Sequence, residues 1–155
     1  MIEKIPKNTI TPEINYETEA FINITPKTET PTWASLAALT KNMSQSLNEA
    51  LYQASYYANA GWGSTEVTGG QLTLTLTGDC KNGDIASDYI LSEEVQYHFA
   101  DARKTHMKLQ RGAKYIIWPV TLANITAAYG DAGQPNALTV NIHGNGKPQL
   151  GEITV

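Results

Sequence analysis

Several residue types in this chain are able to do chemistry, and their spacing decides whether they do. A zinc site needs ligands at short, defined intervals, and His98, His106 and His143 have no such interval between them. They read as solvated or interface side chains. Asp79, Asn82, Asp84 and Asp88 crowd around Gly83, yet their spacing fails the EF-hand pattern, and Asp84 is better placed as a helix N-cap. Cys80 would need a lowered pKa and a paired base to act as a nucleophile, and the sequence supplies neither. A packing or surface thiol is the plainer reading. Glu93-Glu94 has the composition of an acid/base pair, but neighbouring carboxylates in a helix-to-strand connection are usually just solvated. Gly61-Trp62-Gly63 and Gly144-Asn145-Gly146 match neither a P-loop nor a dinucleotide fingerprint and read as turns. The expectation is no catalytic residue, no metal and no cofactor.

The elements that would position these residues are mainly strands. Leu72, Leu74 and Leu76 alternate with Thr73, Thr75 and Thr77, a period of two that sends leucines to one sheet face and threonines to the other. The glycine-bounded turn before them predicts a hairpin that brings a tyrosine-rich strand, ending at Tyr56-Tyr57, into this one. Met107 and Leu109 predict another strand, with Gly112 at its turn, and Ile116, Trp118, Val120 and Leu122 share a face in the next, where Pro119 restricts the strand to an edge or a bulge. Leu138, Val140 and Ile142 point inward from the last strand. Asp84 caps a short helix whose face carries Ile85, Ala86, Tyr89 and Ile90. From Trp33 to Ala58 the apolar spacing alone favours a helix. Between about Val95 and Lys104 the pattern places nothing firmly.

Residues 1–31 carry Pro6, Pro12, Pro26 and Pro31, spaced against a helix or central strand, and read as an extended N-terminal arm. Burying Ile2, Ile5, Ile10, Ile14, Tyr16, Phe21, Ile22 and Ile24 recovers less than ordering the arm's backbone costs. The arm is therefore expected to order by adding strand-like hydrogen bonds to another surface. The alternative is an unstructured terminus.

Bulk properties narrow the function. A chain of 155 residues suits one domain, and 41% hydrophobic with 17% charged residues describes a globular protein. The formal charge of -4 argues against binding nucleic acid by neutralising phosphates. No apolar run is long enough for a membrane helix, so no membrane insertion is expected, and Met1-Ile2-Glu3-Lys4-Ile5-Pro6 has no signal-peptide core. A lone cysteine excludes an intrachain disulfide.

The order of short motifs adds a family. Trp33-Ala34-Ser35-Leu36, Tyr56-Tyr57 before a Gly-rich turn, Val67-Thr68-Gly69, Leu72-Thr73-Leu74 running to Gly78, Gly83-Asp84-Ile85-Ala86, Gly130-Asp131-Ala132 and Gly146-Lys147-Pro148 together resemble the major tail (tail tube) proteins of long-tailed, siphovirus-type bacteriophages. The resemblance runs from about Trp33 to Pro148 and implies strands, not a helix, over residues 34–58. It departs from the family at Asp79-Cys80, around Val95 to Asp101, and in the long arm.

What the resemblance implies is a mainly β protein: an arm over 1–31, then a β-sandwich of the tail-tube fold over 32–155 with one short flanking α-helix. It further implies hexameric rings in which one sheet of each subunit joins its neighbours into a large barrel, stacked into the tail tube of the virion. Implied partners are other copies of the chain and the tape measure, distal tail and tail terminator proteins. DNA would pass through the lumen without specific binding, a task that an acidic wall would suit, and synthesis would be in the bacterial host cytoplasm. Candidate subunit or ring contacts are Ile10, Ile14, Tyr16, Phe21, Ile22 and Ile24 of the arm and the aromatics Trp33, Tyr56, Tyr57 and Trp62. For Trp33 and Trp62 the competing reading is ordinary core or turn packing. The competing function is a monomeric β-sandwich binding module of adhesin or carbohydrate-binding type.

Overall fold

The computed structural model describes Ile5 and residues 11–153. Its strands are β1 (Thr18–Asn23), β2 (Trp33–Ser35), β3 (Thr40–Ser46), β4 (Ala50–Ser55), β5 (Gly63–Gly69), β6 (Thr73–Asp79), β7 (Lys104–Arg111), β8 (Lys114–Ala128), β9 (Ala137–Gly144) and β10 (Gln149–Glu152). Two short helices, α1 (Ile85–Ile90) and α2 (Glu93–Tyr97), separate β6 from β7. All the pairings are antiparallel. One sheet runs β2-β1-β7-β8-β9-β6-β3, with β10 also on β8, and β4-β5 forms a separate pair.

That sheet has to curl. A flat path of seven strands would hold its edges about 29 Å apart, whereas the five Cα steps from Ser35 to Thr40 span at most about 18 Å. Those steps join β2 and β3, the two ends of the path. The connector is tied to both ends: the Leu36 N–H donates to the Ala20 carbonyl at 2.9 Å, and the Asp79 N–H donates to the Leu39 carbonyl at 3.0 Å. Leu36 and Leu39 are buried between the converging edges. The inward residues of both halves of the sheet, from Ala20 and Ile22 on β1 to Leu74 and Leu76 on β6, form one cluster with Met107, Trp118 and Val140. Alternation at β6 and β9 is as the period of two predicts, leucines and Ile142 inward and threonines outward.

Three expectations change in detail. β1 lies inside the stretch read as an arm, where it pairs with β2 and β7 and buries Ala20 and Ile22. The prolines permit this because Pro12 precedes the strand and Pro26 and Pro31 fall in the loop after it, leaving a proline-free window long enough for six residues. Residues 13–18 are also held, by Arg111 reaching Glu13 at 3.6 Å, Glu17 at 3.2 Å and the Thr18 hydroxyl at 2.8 Å. Second, α2 adds a helical turn beyond the single helix expected. Its Ser92 hydroxyl accepts from the Val95 N–H, as the Asp84 carboxylate accepts from the Ser87 N–H at the start of α1.

Third, Pro119 sits in a central strand. Its carbonyl accepts the Asn145 N–H at 2.8 Å, so its ring nitrogen faces the same side, in the gap between the Ile117–Gln149 and Val120–Gly144 pairs. The missing N–H leaves no partner unsatisfied there. Residues 34–58 hold the end of β2, then β3 and β4, with no α-helix, as the resemblance implied. Met43, Leu47 and Leu51 line up at helical spacing, yet only Met43 packs against the core. Backbone pairing to β6 and β5 overrides the propensity.

Candidate assembly surface

The first surface is a projecting hairpin. β4 continues from β3 and β5 leads into β6, so the paired β3 and β6 extend past the sheet as a second, two-stranded arm. The tyrosine-rich strand and the Leu-Thr strand thus belong to one long hairpin, with β4 turning into β5 through Tyr56 to Trp62. The bend between body and projection is built by Asn48, at φ 43°, whose amide donates to the Thr73 hydroxyl at 2.8 Å, and by the Gln71 N–H donating to the Leu47 carbonyl at 2.6 Å. Six or seven residues per strand carry the projection about 20 Å outward. Leu51, Tyr52, Tyr56, Tyr57, Trp62 and Val67 are exposed on it, Trp62 at 79%. A two-stranded hairpin is marginal in water by itself, and among the described residues no third strand pairs with it.

The second surface is a pair of open edges. Among the described residues β3 pairs only with β6. At the far side of the same four strands, β7 pairs with β8 only as far as Thr121, and beyond Leu122, whose carbonyl accepts from Arg103 at 3.2 Å, β8 pairs only with β9. Among the described residues the sheet β3-β6-β9-β8 therefore has an unpaired edge on each flank. Open edges invite strand addition. Beside the β3 edge runs a groove of about 920 Å³ that Ile14, Tyr16, Met43, Leu74 and Leu109 help to line.

The candidate contact residues divide by burial. Tyr56, Tyr57 and Trp62 stand exposed at the hairpin tip, and Tyr16 and Ile14 are exposed before β1. Ile22 is fully buried in the chain's own core and so is not presented to a partner, and Ile24, partly buried, packs against that core. Both follow from β1 being an internal strand. Phe21 and Trp33 are half-buried on the opposite sheet face, where the Lys108 ammonium lies 5.6 Å and 5.8 Å from their rings and 4.8 Å from that of Tyr115. Ile10 lies outside the described residues. The sequence reading missed Leu51, Tyr52 and Val67, although their position beside the glycine-bounded turn was the available signal.

The chemistry-bearing residues stay apart. Among the described residues no three His, Cys, Asp or Glu side chains gather as metal ligands. Asp79 pairs with Lys41 at 3.1 Å and Asp84 caps α1. Burial, reinforced by the charge of Asp79, pushes the Cys80 thiol up from its ordinary pKa, the opposite of an activated nucleophile. His106 Nδ1 lies 3.3 Å from the Asn23 amide nitrogen, and Asn23 itself organises the loop after β1 by accepting from the Thr25 and Thr32 N–H groups.

Among the described residues the architecture is a curled antiparallel sheet with open flanks and a hairpin that no third strand covers. Solved structures place the fold more closely. The chain superposes on one from the tail of an empty gene transfer agent (GTA) particle with C6 symmetry at a TM-score of 0.71 and 11% identity, covering 90% of this chain and 99% of that one. A chain from the virion of a native GTA particle gives 0.69 and 10% identity with the same coverage. One from the sheath-tube complex of an extracellular contractile injection system gives 0.54 and 11% over 94% and 95%. The fold is the tail-tube fold. No protein-family model and no curated protein matches the chain.

Proposed function

We propose that this chain is the structural subunit of a phage-type tail tube, assembling into hexameric rings that stack into the conduit for genome delivery. The observation that carries the reading is the β4-β5 projection, a hairpin with exposed apolar side chains that has no strand partner among the described residues. It gains stability from a surface that only another subunit or ring supplies. The open edges of β3 and β8 support the same reading, because joining one to the other between successive copies is a head-to-tail contact that closes a ring and removes both edges. Sixfold symmetry in the tail of the similar GTA structure supports six copies.

In this role the protein is structural, with its own copies as main partner and tape measure, distal tail and tail terminator proteins at the tube's ends. Its place is the virion tail, after synthesis in the bacterial host cytoplasm, and DNA passes without specific binding. Residues before Thr18, with Tyr16 and Ile14 exposed, add contacts between rings or subunits. Negative-stain imaging and light scattering over a concentration series test the reading. Rings or tubes are the expected result. Protein that stays monomeric even with tail partners present returns the chain to a β-sandwich binding module.

A further inference from the structure

Two outer sheet faces compete for the inside of such a ring, and their chemistry differs. Across β3, β6, β9 and the second half of β8 the outward residues fall in registered rows: Asn42, Thr77, Thr139, Thr126; Ser44, Thr75, Asn141, Ala123; Ser46, Thr73, His143, Thr121; and, at one end, Asp79, Ala137, Ala128. The first three rows hold hydroxyls, amides, one histidine and Ala123, with no Asp, Glu, Lys or Arg, and the one carboxylate of the end row, Asp79, is paired with Lys41. Two ion pairs lie at the margins of these rows, Lys41 with Asp79 at 3.1 Å and Lys104 with Asp101 at 3.6 Å. On the other half of the sheet the outward residues include Glu19 and Lys108, with Phe21, Trp33 and Tyr115 around the ammonium.

We infer that the hydroxyl and amide face of β3, β6, β9 and β8 is the wall of the conduit, and that it is electroneutral, not acidic. The inference rests on the tube reading above and adds which face meets the passing polyanion and how. A cation such as Lys108 on the wall would hold phosphates by counterion release, and six copies per ring, repeated along a tube, would add up to a trap. Fixed anions would repel the polyanion along the whole bore. Hydroxyl and amide groups do neither. They keep ordered water at the wall through hydrogen bonds, so the polyanion slides on hydration instead of on protein. The net charge of -4 then resides on the outside and at the ends.

The test uses single thiols in a Cys80→Ser background. Thr75→Cys and, as a second variant, Thr139→Cys lie on the inferred wall, and Gln110→Cys lies on the opposite face. In unassembled protein all three react with a small maleimide and with a maleimide on a polymer too bulky for the bore. In tubes the bulky reagent is expected to lose T75C and T139C while still labelling Q110C, and the small reagent to label all three. A second arm adds short duplex DNA: unmodified tubes should retain none from low to physiological salt, and Thr75→Lys tubes should retain it with a salt-dependent loss. Tubes whose T75C and T139C thiols take the bulky reagent would overturn the inference and leave the tube reading standing. Unmodified tubes that retain DNA in a salt-dependent way would overturn the electroneutral wall. Absence of tubes under every condition would remove the tube reading, and the inference with it.

Discussion

A methyl group at Gly78 would run into the Leu39 carbonyl oxygen, backbone that cannot swing aside as a side chain would. The same carbonyl accepts the Asp79 N–H, so the clash falls on the contact that holds the Leu36-to-Leu39 connector against β6. Gly78→Ala is therefore expected to lower stability by about 1–3 kcal/mol, the usual cost of overpacking a close contact. Thermal unfolding of the unassembled protein measures it, and an unchanged midpoint would mean that the connector is not needed to hold the curl. Local chemistry of this kind was partly legible. Asp84 as a cap and Leu72, Leu74 and Leu76 as inward residues follow from single-residue preferences and a period of two. The close approach at Gly78 was not, because it depends on where a residue 39 positions earlier in the chain passes.

Among elements, β1 carries the sharpest consequence of the structure. It is the link between β2 and β7, buries Ala20 and Ile22, and its Asn23 carbonyl accepts the buried Thr105 hydroxyl. Removing residues 1–12 is expected to leave the sheet intact, since the sheet begins at Thr18. Removing residues 1–24 is expected to unfold it, because that cut opens a cavity in the core and strands β2 at once. Circular dichroism and a thermal melt distinguish the two truncations, and a folded 1–24 deletion would contradict β1's place in the core. Proline spacing misplaced this strand because prolines forbid structure only where they stand. The helical spacing over residues 34–58 misled for a related reason: periodicity records which positions are apolar, not which are covered, and Leu47 in the β3-β4 connection and Leu51 on β4 are left exposed.

At the scale of the whole molecule, the sequence contained the inward faces of β6, β8 and β9 almost residue by residue, and it contained none of the curl. Curvature comes from the distance between β2 and β3, a property of strand order that no local pattern encodes. The same holds for the projecting hairpin, whose Trp62 reads as a core or turn-packing aromatic as readily as a contact until the fold leaves it and Tyr57 exposed. Their exposure separates two energies that usually travel together. Tyr57→Ser with Trp62→Ser removes little that the isolated chain buries, so its stability is expected to stay within about 0.5 kcal/mol of the parent. If both rings anchor a neighbouring subunit, the pair should cost at least about 2 kcal/mol of association, which raises the concentration needed for assembly roughly thirtyfold. Sedimentation across a dilution series reads that concentration, and hydrogen exchange reports the same event locally. Amides of β4 and β5 should exchange fast in the free subunit, while those of β6 and β9 stay protected, and should become protected only in tubes. A double variant that assembles at the parent's concentration would show that the hairpin tip is not where subunits hold one another.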